Sequence, residues 1–432
     1  MSSVKDLLAK AEAASASNPK EAEKLYKQIL AATSSSTSNT NEPARDEEQA
    51  QGLRDQEVAL VKLGELYRDH KNAKGLSEII TQSRAFMSST AKAKTAKLIR
   101  TLLDFFNSIP NSQDVQMQTL TDNIAWAKAD KRIFLKHSLE TRLVGLQLES
   151  RQYVQALALI DTLLAELKRL DDKMILTEVH LLESRVYRGI GNMAKAKAAL
   201  TSSRTAANSI YCPPSLQASL DLQSGILHAE EKDYTTAYSY FFEAFENLST
   251  QGDETALGAL KYMLLCKVML NLPEDVNSLL TIKLALKYAN VRDVESMRAI
   301  ARAHQNRNLA DFEKALRDYK EELSSDPTIR SHLAALYDTL LEQNLLRIVE
   351  PYSVVEIAYV AETVGQERQA VEAKLSQMIL DKVFYGVLDQ GRGCLIVYDE
   401  PEADNTYGAA IETLSQVSKV VESLYAKTVK IA

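Results

Sequence analysis

Three stretches of the sequence repeat one pattern at a nearly constant spacing, and internal repetition constrains a fold more than a single motif does. The stretches are 143–160, 183–200 and 224–244, and each has an apolar segment, a short polar turn and a second segment that opens with a small residue. Those small residues are Ala156, Ala196 and Ala237, spaced 40 and 41 residues apart. The spacing predicts helical hairpins that bury their apolar faces by stacking on one another.

The third stretch carries the pattern most clearly. Its small, aromatic, small, bulky and small positions match a tetratricopeptide-like hairpin and are Gly225, Tyr234, Ala237, Phe241 and Ala244. Small side chains let two helices approach closely, and bulky ones fill the space between them. Weaker copies lie at 20–30, 62–80, 264–280 and 301–319. We therefore expect a mostly α protein in which residues 1–325 form a right-handed α-solenoid of about eight hairpins.

Composition agrees with a helical fold, because 14 glycines and 9 prolines are few for 432 residues. One segment interrupts the pattern. Residues 33–52, TSSSTSNTNEPARDEEQAQG, are rich in Ser, Thr and Asn and then acidic, with no large apolar side chain to bury. The sequence predicts a flexible loop there.

A second domain is predicted over residues 326–400. An Asp-Pro step at Asp326 marks the start of one helix, and Ser353 with Glu356 forms a capping box for a second helix that stops at Gly365. A third helix with one apolar face follows. Two short runs rich in β-branched and aromatic residues come next, and three helices before a hairpin make a winged helix.

The glycines between those two runs raise the question of a phosphate-binding loop. The runs are 383–388 and 394–399, and Gly391 and Gly393 lie in the turn that joins them. A phosphate loop requires Gly-Lys-Ser or Gly-Lys-Thr between a strand and a helix, and the sequence contains neither tripeptide. A hairpin turn is the better interpretation. Its exposed wing edge suits protein docking, and the candidate interface residues are Tyr385, Val387, Ile396 and Tyr398.

The end of the chain, residues 405–432, predicts an amphipathic helix. Its apolar residues are spaced alternately by three and four over about three heptads, at Tyr407, Ala410, Leu414, Val417, Val421 and Leu424. No other part of the sequence is left to cover this seam. We expect Tyr407, Leu414, Val417, Val421 and Leu424 to contact a partner protein.

The sequence lacks the motifs of an enzyme, a metal site or a cofactor site. The histidines, at 70, 137, 180, 228, 304 and 332, form neither His-x-His nor His-Glu-x-x-His. The cysteines Cys212, Cys266 and Cys394 have no clustered ligand partners in sequence, which suits a reducing compartment. We therefore expect no catalytic, cofactor-binding or metal-binding residues.

Nucleic-acid and membrane binding are also disfavoured. The net charge of −7 gives no overall attraction to polyanions. In the predicted third helix Arg368 and Lys374 are balanced by Glu367 and Glu372, and the wing adds only Arg392. The first 30 residues have neither a secretory apolar core nor a transit-peptide composition, and no stretch of 18 uncharged apolar residues occurs. We expect a protein of the cytoplasm and nucleus.

A solenoid that leads into a winged helix and a free amphipathic helix resembles the PCI family of scaffold subunits. That family serves the 26S proteasome lid, the COP9 signalosome and translation initiation factor three. Stretches similar to its proteasome-lid members include SRTAANSIYCPP (203–214), LKYMLLCKVMLN (260–271), LADFEKALRDYKEEL (309–323) and KLSQMILDKVFYGVLDQGRG (374–393).

The resemblance implies a non-catalytic scaffold of the proteasome lid that holds the regulatory particle on the core particle. Its expected partners are neighbouring PCI subunits, the ATPase ring and the α-ring of the core particle. A scaffold of one of the other two PCI complexes is the alternative.

Overall fold

A computed structural model describes residues 7–8, 11, 19–34, 45–87, 92–110, 112–272, 274–324, 326–399 and 405–429. The chain divides into two compact units, residues 1–227 and 228–432. Most described residues are helical, with one small sheet in the second unit. Within these ranges no helix has both the length and the apolar character that a membrane span requires.

Helices of the first unit follow one another along the chain. They are α1 (Pro19–Ser34), α2 (Arg45–Asp69), α3 (Ala73–Met87), α4 (Lys92–Asn107), α5 (Gln113–Ala129), α6 (Ile133–Glu149), α7 (Tyr153–Leu170), α8 (Lys173–Ile190) and α9 (Met193–Asn208). Helix α10 (Pro214–Glu230) spans the point of division.

The stacked helix pairs predicted from the repeats are present. Ala156, Ala196 and Ala237 lie near the starts of α7, α9 and α11 (Tyr234–Gln251), and each is fully buried. Phe241 and Ala244 on α11 are buried as well. Because an alanine leaves room for the facing helix, these positions set how closely the helices can pack.

Several turns between helices share one backbone conformation. Lys131, Arg151, Gly191 and Lys232 each have positive φ and lie one or two residues after the end of a helix. In each case the next amide donates to the carbonyl five residues earlier, for example Asp233 N to His228 O at 3.0 Å. This is a Schellman ending, which satisfies helix carbonyls within a three-residue turn.

The residue after the positive-φ position often caps the next helix. Asn192 accepts a hydrogen bond from Lys195 N at 3.2 Å, and Asp233 accepts one from Thr236 N at 3.3 Å. Such side chains satisfy amides of the first turn. Non-glycine residues fill most of these left-handed positions, which explains how so many tight turns coexist with few glycines.

The second unit contains α11 and then α12 (Ala256–Met269), α13 (Glu274–Leu280), α14 (Arg292–Gln305), α15 (Leu309–Asp318), α16 (Lys320–Ser324), α17 (Pro327–Val349), β1 (Val354–Glu356), α18 (Ile357–Val364), α19 (Arg368–Leu380), β2 (Tyr385–Asp389), β3 (Cys394–Tyr398) and α20 (Asn405–Val429). The strands form one antiparallel sheet in the order β1-β3-β2. Helices α17, α18 and α19 with this sheet form the winged helix.

Asp326 caps α17, as predicted, by accepting from Thr328 N at 2.9 Å. Gly365 ends α18 with φ +73°, also as predicted. The predicted capping box is wrong. Ser353 precedes β1 and its carbonyl accepts from Val397 N at 2.9 Å, while Glu356 belongs to β1 and makes no side-chain cap. Pairing with β3 competes successfully with a longer helix, because it buries Val355 on the sheet.

The predicted loop over 33–52 is also too long. Thr33 and Ser34 end α1, and residues 45–52 begin α2. Residues 45–52 contain Glu, Gln, Ala and Arg, which are good helix formers. A polar stretch of this composition can therefore form a helix, and high polarity alone is not sufficient evidence for a loop. Residues 35–44 lie outside the described ranges.

Left-handed turn residues with a Cβ should be mildly strained. Lys232 is exposed at φ +68°, so Lys232→Gly should raise the free energy of unfolding by about 0.5–1 kcal/mol, seen as a higher urea midpoint. The matched control is Lys314→Gly on an exposed position inside α15, which should lower stability by about 1 kcal/mol. A lowered midpoint for Lys232→Gly would contradict the argument.

Candidate protein interface

The four predicted wing residues lie on one face of the sheet. Tyr385 pairs with Tyr398 and Val387 pairs with Ile396 across the β2–β3 ladder. Directly opposed residues of neighbouring strands point to the same side. Val387 and Tyr398 are 50% and 54% exposed, and the other two are half-buried. The structure thus joins these side chains in one apolar surface.

The opposite face of the sheet covers the core of the winged helix. Leu395 on β3 and Val355 on β1 are buried, as are Val371 and Leu375 on α19. One face therefore holds the domain together, and the other remains available for contact. This division follows the alternation of side chains along a strand.

Sequence reasoning missed one member of the exposed face. Val354 on β1 pairs with Ile396 and is 55% exposed. It extends the apolar surface across all three strands. The only signal was the Val-Val pair at 354–355, and that pair was read as part of a helix start. We call Val354, Tyr385, Val387, Ile396 and Tyr398 the wing surface.

The glycine-containing turn has the geometry of a hairpin. Asp389 Oδ1 accepts hydrogen bonds from the amides of Gly391 at 3.0 Å and Arg392 at 3.1 Å. Gly393 has φ +67°, a conformation that favours glycine. These amides are directed at a side chain of the protein itself, so the turn is a connection between strands, as predicted.

Most candidate DNA-contacting cations are engaged in ion pairs. Arg368 Nε lies 2.8 Å from Glu372, and Lys374 Nζ lies 2.8 Å from Glu342 on α17. Arg392 lies 3.8 Å from Asp389. A DNA-reading helix needs cations that are free to meet phosphates. The ion pairs therefore argue against nucleic-acid reading by this winged helix.

Helix α20 exposes a continuous apolar stripe. Every predicted interface residue on it is more than half exposed: Tyr407 76%, Leu414 68%, Val417 53%, Val421 58% and Leu424 57%. Side chains from Thr406 to Thr428 are exposed on all sides of the helix. A contiguous apolar surface of this kind marks an interaction site.

The exposed stripe is wider than the predicted heptad seam. Ile411 is 68% exposed, Val420 is 58% exposed and Tyr425 is 71% exposed, and these residues flank the predicted seam. On a helix of 3.6 residues per turn, Ile411 lies beside Tyr407 and Leu414, and Tyr425 lies one turn after Val421. We call the eight residues the α20 stripe. Its width suits contact with more than one helix, as in a bundle.

The structure also assembles a cluster that the sequence did not predict. Ligand atoms of His137, Glu140 and Glu166 lie within 4.8 Å of one another. Lys136 Nζ already occupies this position, 2.7 Å from Glu166 and 3.6 Å from Glu140. Because an ammonium group repels a metal cation, the cluster is an ion-pair network between α6 and α7. His137 and Glu140 share one helix face in sequence, but Glu166 comes from the next helix.

The buried cysteine is unsuited to nucleophilic chemistry. Cys266 on α12 is 2% exposed, and burial raises the pKa of its thiol to about 12. The reactive form of a cysteine is the thiolate, which this environment suppresses. Cys266 is a core residue of α12.

Family models match three parts of the chain. Residues 4–150 match the 26S proteasome regulatory subunit RPN6 N-terminal domain, 316–399 match the PCI domain, and 403–428 match the 26S proteasome subunit RPN6 C-terminal helix domain. The last two contain the whole wing surface and the whole α20 stripe. The fold and these matches define a PCI-domain protein.

Relatives that match most of the chain show which family of PCI-domain proteins it belongs to. The chain is 57% identical to the probable 26S proteasome regulatory subunit rpn6 of Schizosaccharomyces pombe, over 86% of this chain and 88% of the relative. It is 48% identical to the 26S proteasome regulatory subunit RPN6 of Saccharomyces cerevisiae over 94% of each chain. It is 50% identical to the 26S proteasome non-ATPase regulatory subunit 11 homolog of Arabidopsis thaliana, over 88% of this chain and 91% of the relative. The chain belongs to the family of the 26S proteasome regulatory subunit RPN6, whose members are regulatory and non-catalytic.

Gly386 should be required for the wing. A Cβ there would lie 2.7 Å from Ile396 O and 3.1 Å from the Phe384 ring. Gly386→Ala should therefore lower stability by about 1–3 kcal/mol and speed amide hydrogen exchange in 383–398, measured by mass spectrometry. The control is Gly258→Ala in α12, where nothing lies within 4 Å. It should be neutral or stabilising by up to about 1 kcal/mol. Unchanged exchange in Gly386→Ala would refute the steric argument.

Proposed function

We propose that the chain is a non-catalytic scaffold subunit of the 26S proteasome lid that holds the regulatory particle on the core particle and so supports degradation of ubiquitinated proteins. The observation that carries the proposal is the α20 stripe, every residue of which is more than half exposed, in a chain of this family. An apolar helix face of this size is stable in water only against a partner.

We assign a separate role to each of three domains. Residues 1–325 act as a helical-hairpin arm, 326–400 as the PCI winged helix and 405–432 as a bundle helix. Support comes from the repeated buried alanines in the arm, from the three-stranded sheet and from the isolated amphipathic character of α20. The family of the relatives favours the proteasome over the other PCI complexes.

The proposed partners differ along the chain. The wing surface contacts the winged helices of neighbouring lid PCI subunits, and the α20 stripe joins their terminal helices. The arm contacts the ATPase ring and the α-ring of the core particle. No nucleic acid or membrane is a partner, and the protein works in the cytoplasm and nucleus. The apolar wing surface supports protein contact, since apolar side chains contribute affinity once water is excluded.

Polar replacement of the α20 stripe should block assembly without unfolding the chain. Leu414, Val417, Val421 and Leu424 are exposed, so changing all four to Ser should leave the thermal unfolding midpoint of the isolated chain almost unchanged. The variant, expressed in place of the wild-type chain, should be absent from the proteasome peak in size exclusion followed by mass spectrometry.

The matched control changes Glu412, Gln416 and Lys419 to Ser on the opposite side of α20, where the side chains are also exposed. It should assemble normally. Normal assembly of the stripe variant would refute the proposed bundle contact.

Removal of residues 1–90 should separate assembly of the lid from attachment of the regulatory particle to the core particle. The lid should still form, because the winged helix and α20 are intact, but fewer regulatory particles should remain on core particles. Native gels stained for peptidase activity would show the change as a higher ratio of free to capped core particle. An unchanged ratio, with circular dichroism showing the remaining helices folded, would contradict the arm contact.

A further inference from the structure

A groove of about 380 Å³ in the first unit has no role in the interfaces above. It lies among the end of α5, the turn into α6 and the last turn of α7. Its volume falls within the ~300–1,000 Å³ range of ligand-binding clefts. Five basic side chains and one acidic side chain line it. This balance is opposite to that of the whole chain, whose net charge is −7.

Two of the five basic side chains are already satisfied within the protein. Lys136 Nζ contacts the two Glu166 carboxylate oxygens at 2.7 and 2.9 Å. Arg132 pairs with Asp130 at 2.5 Å and stacks over the Trp126 ring at 5.0 Å from its centroid. Glu166, the acidic residue of the groove, is therefore neutralised by a neighbour.

The other three cations have no such partner. Lys128, Lys131 and Arg169 are exposed, and no carboxylate of the described residues forms an ion pair with them. Lys131 has φ +55° in the Schellman turn after α5, so its backbone is fixed by the turn. Three uncompensated cations around one concave surface create a local field that attracts anions.

Apolar side chains line the groove together with these cations. Ile133 is 47% exposed and Leu170 is 46% exposed, and both line the groove with buried Ala127. A ligand that carried only charge would leave Ile133 and Leu170 in water. A ligand with an apolar group between its charges would cover them and gain affinity from the burial.

We propose that this groove binds a short acidic segment of a partner protein, with an apolar side chain between its carboxylates. The inference goes beyond the scaffold role and does not depend on the wing surface or the α20 stripe. A nucleic acid fits less well, because single-strand recognition uses exposed aromatic platforms. None of the residues that line the groove is aromatic, and the ring of Trp126, next to the lining residue Ala127, is covered by Arg132.

Fluorescence anisotropy with a labelled peptide tests the proposal on the full chain. The probe is fluorescein-DELEDF, and DESEDS has the same charge without the apolar side chains. DELEDF should bind more tightly than DESEDS, and its binding should weaken as salt rises. In the double variant Lys131→Glu with Arg169→Glu, the dissociation constant should rise about tenfold or more.

The matched control is Lys232→Glu with Arg347→Glu, which makes the same change in net charge at exposed sites in the second unit. Lys232 also has positive φ, so it reproduces the backbone setting of Lys131. This control should bind DELEDF as the wild type does. The milder pair Lys131→Gln with Arg169→Gln serves if circular dichroism shows that charge reversal unfolds the chain.

Two results would overturn the proposal. Equal dissociation constants for wild type and a folded groove variant would mean that the peptide binds elsewhere. Equal binding of DELEDF and DESEDS would make the groove a general polyanion surface without the apolar component.

Discussion

The structure depends on helix-to-helix burial at positions where only a small side chain fits. Ala156, Ala196 and Ala237 are completely buried at equivalent places in successive hairpins. A larger side chain there would push the facing helix away and open gaps, because protein interiors are packed as densely as organic crystals. The tight Schellman turns then fix which helices face each other.

This packing divides the hydrophobic core into clusters that follow one another along the chain. Separate buried clusters extend over residues 11–146, 144–186 and 181–227, and another fills the winged helix over 345–395. Helix α6 contributes Leu143 to one cluster and Val144 to the next, and α8 contributes Val179 and Leu181 in the same way. Such helices are apolar on two sides, because each contacts a neighbour before and after it. Stability in a stacked repeat therefore accumulates between neighbours.

The sequence predicted features that depend on local pattern and missed those that depend on distant partners. The hairpins, the Asp326 cap, the Gly365 stop and the α20 seam are local, since spacing or a single backbone conformation defines each of them. Strand β1 was missed because its three residues become a strand only by pairing with β3, about 40 residues later in sequence. The His137–Glu166 contact was missed for the same reason.

The two kinds of exposed surface imply two kinds of binding. The α20 stripe and the wing surface are apolar, and their affinity comes from excluding water, so salt has little effect on it. Contacts of this kind suit a subunit that stays in its complex. The groove around Lys131 combines three cations with a small apolar area, so the acidic segment proposed for it would bind with an affinity that depends on ionic strength and would associate fast. Such a contact can form and break while the apolar contacts persist. The two proposed kinds of contact would let the chain remain in one assembly and still exchange acidic partners at a separate site.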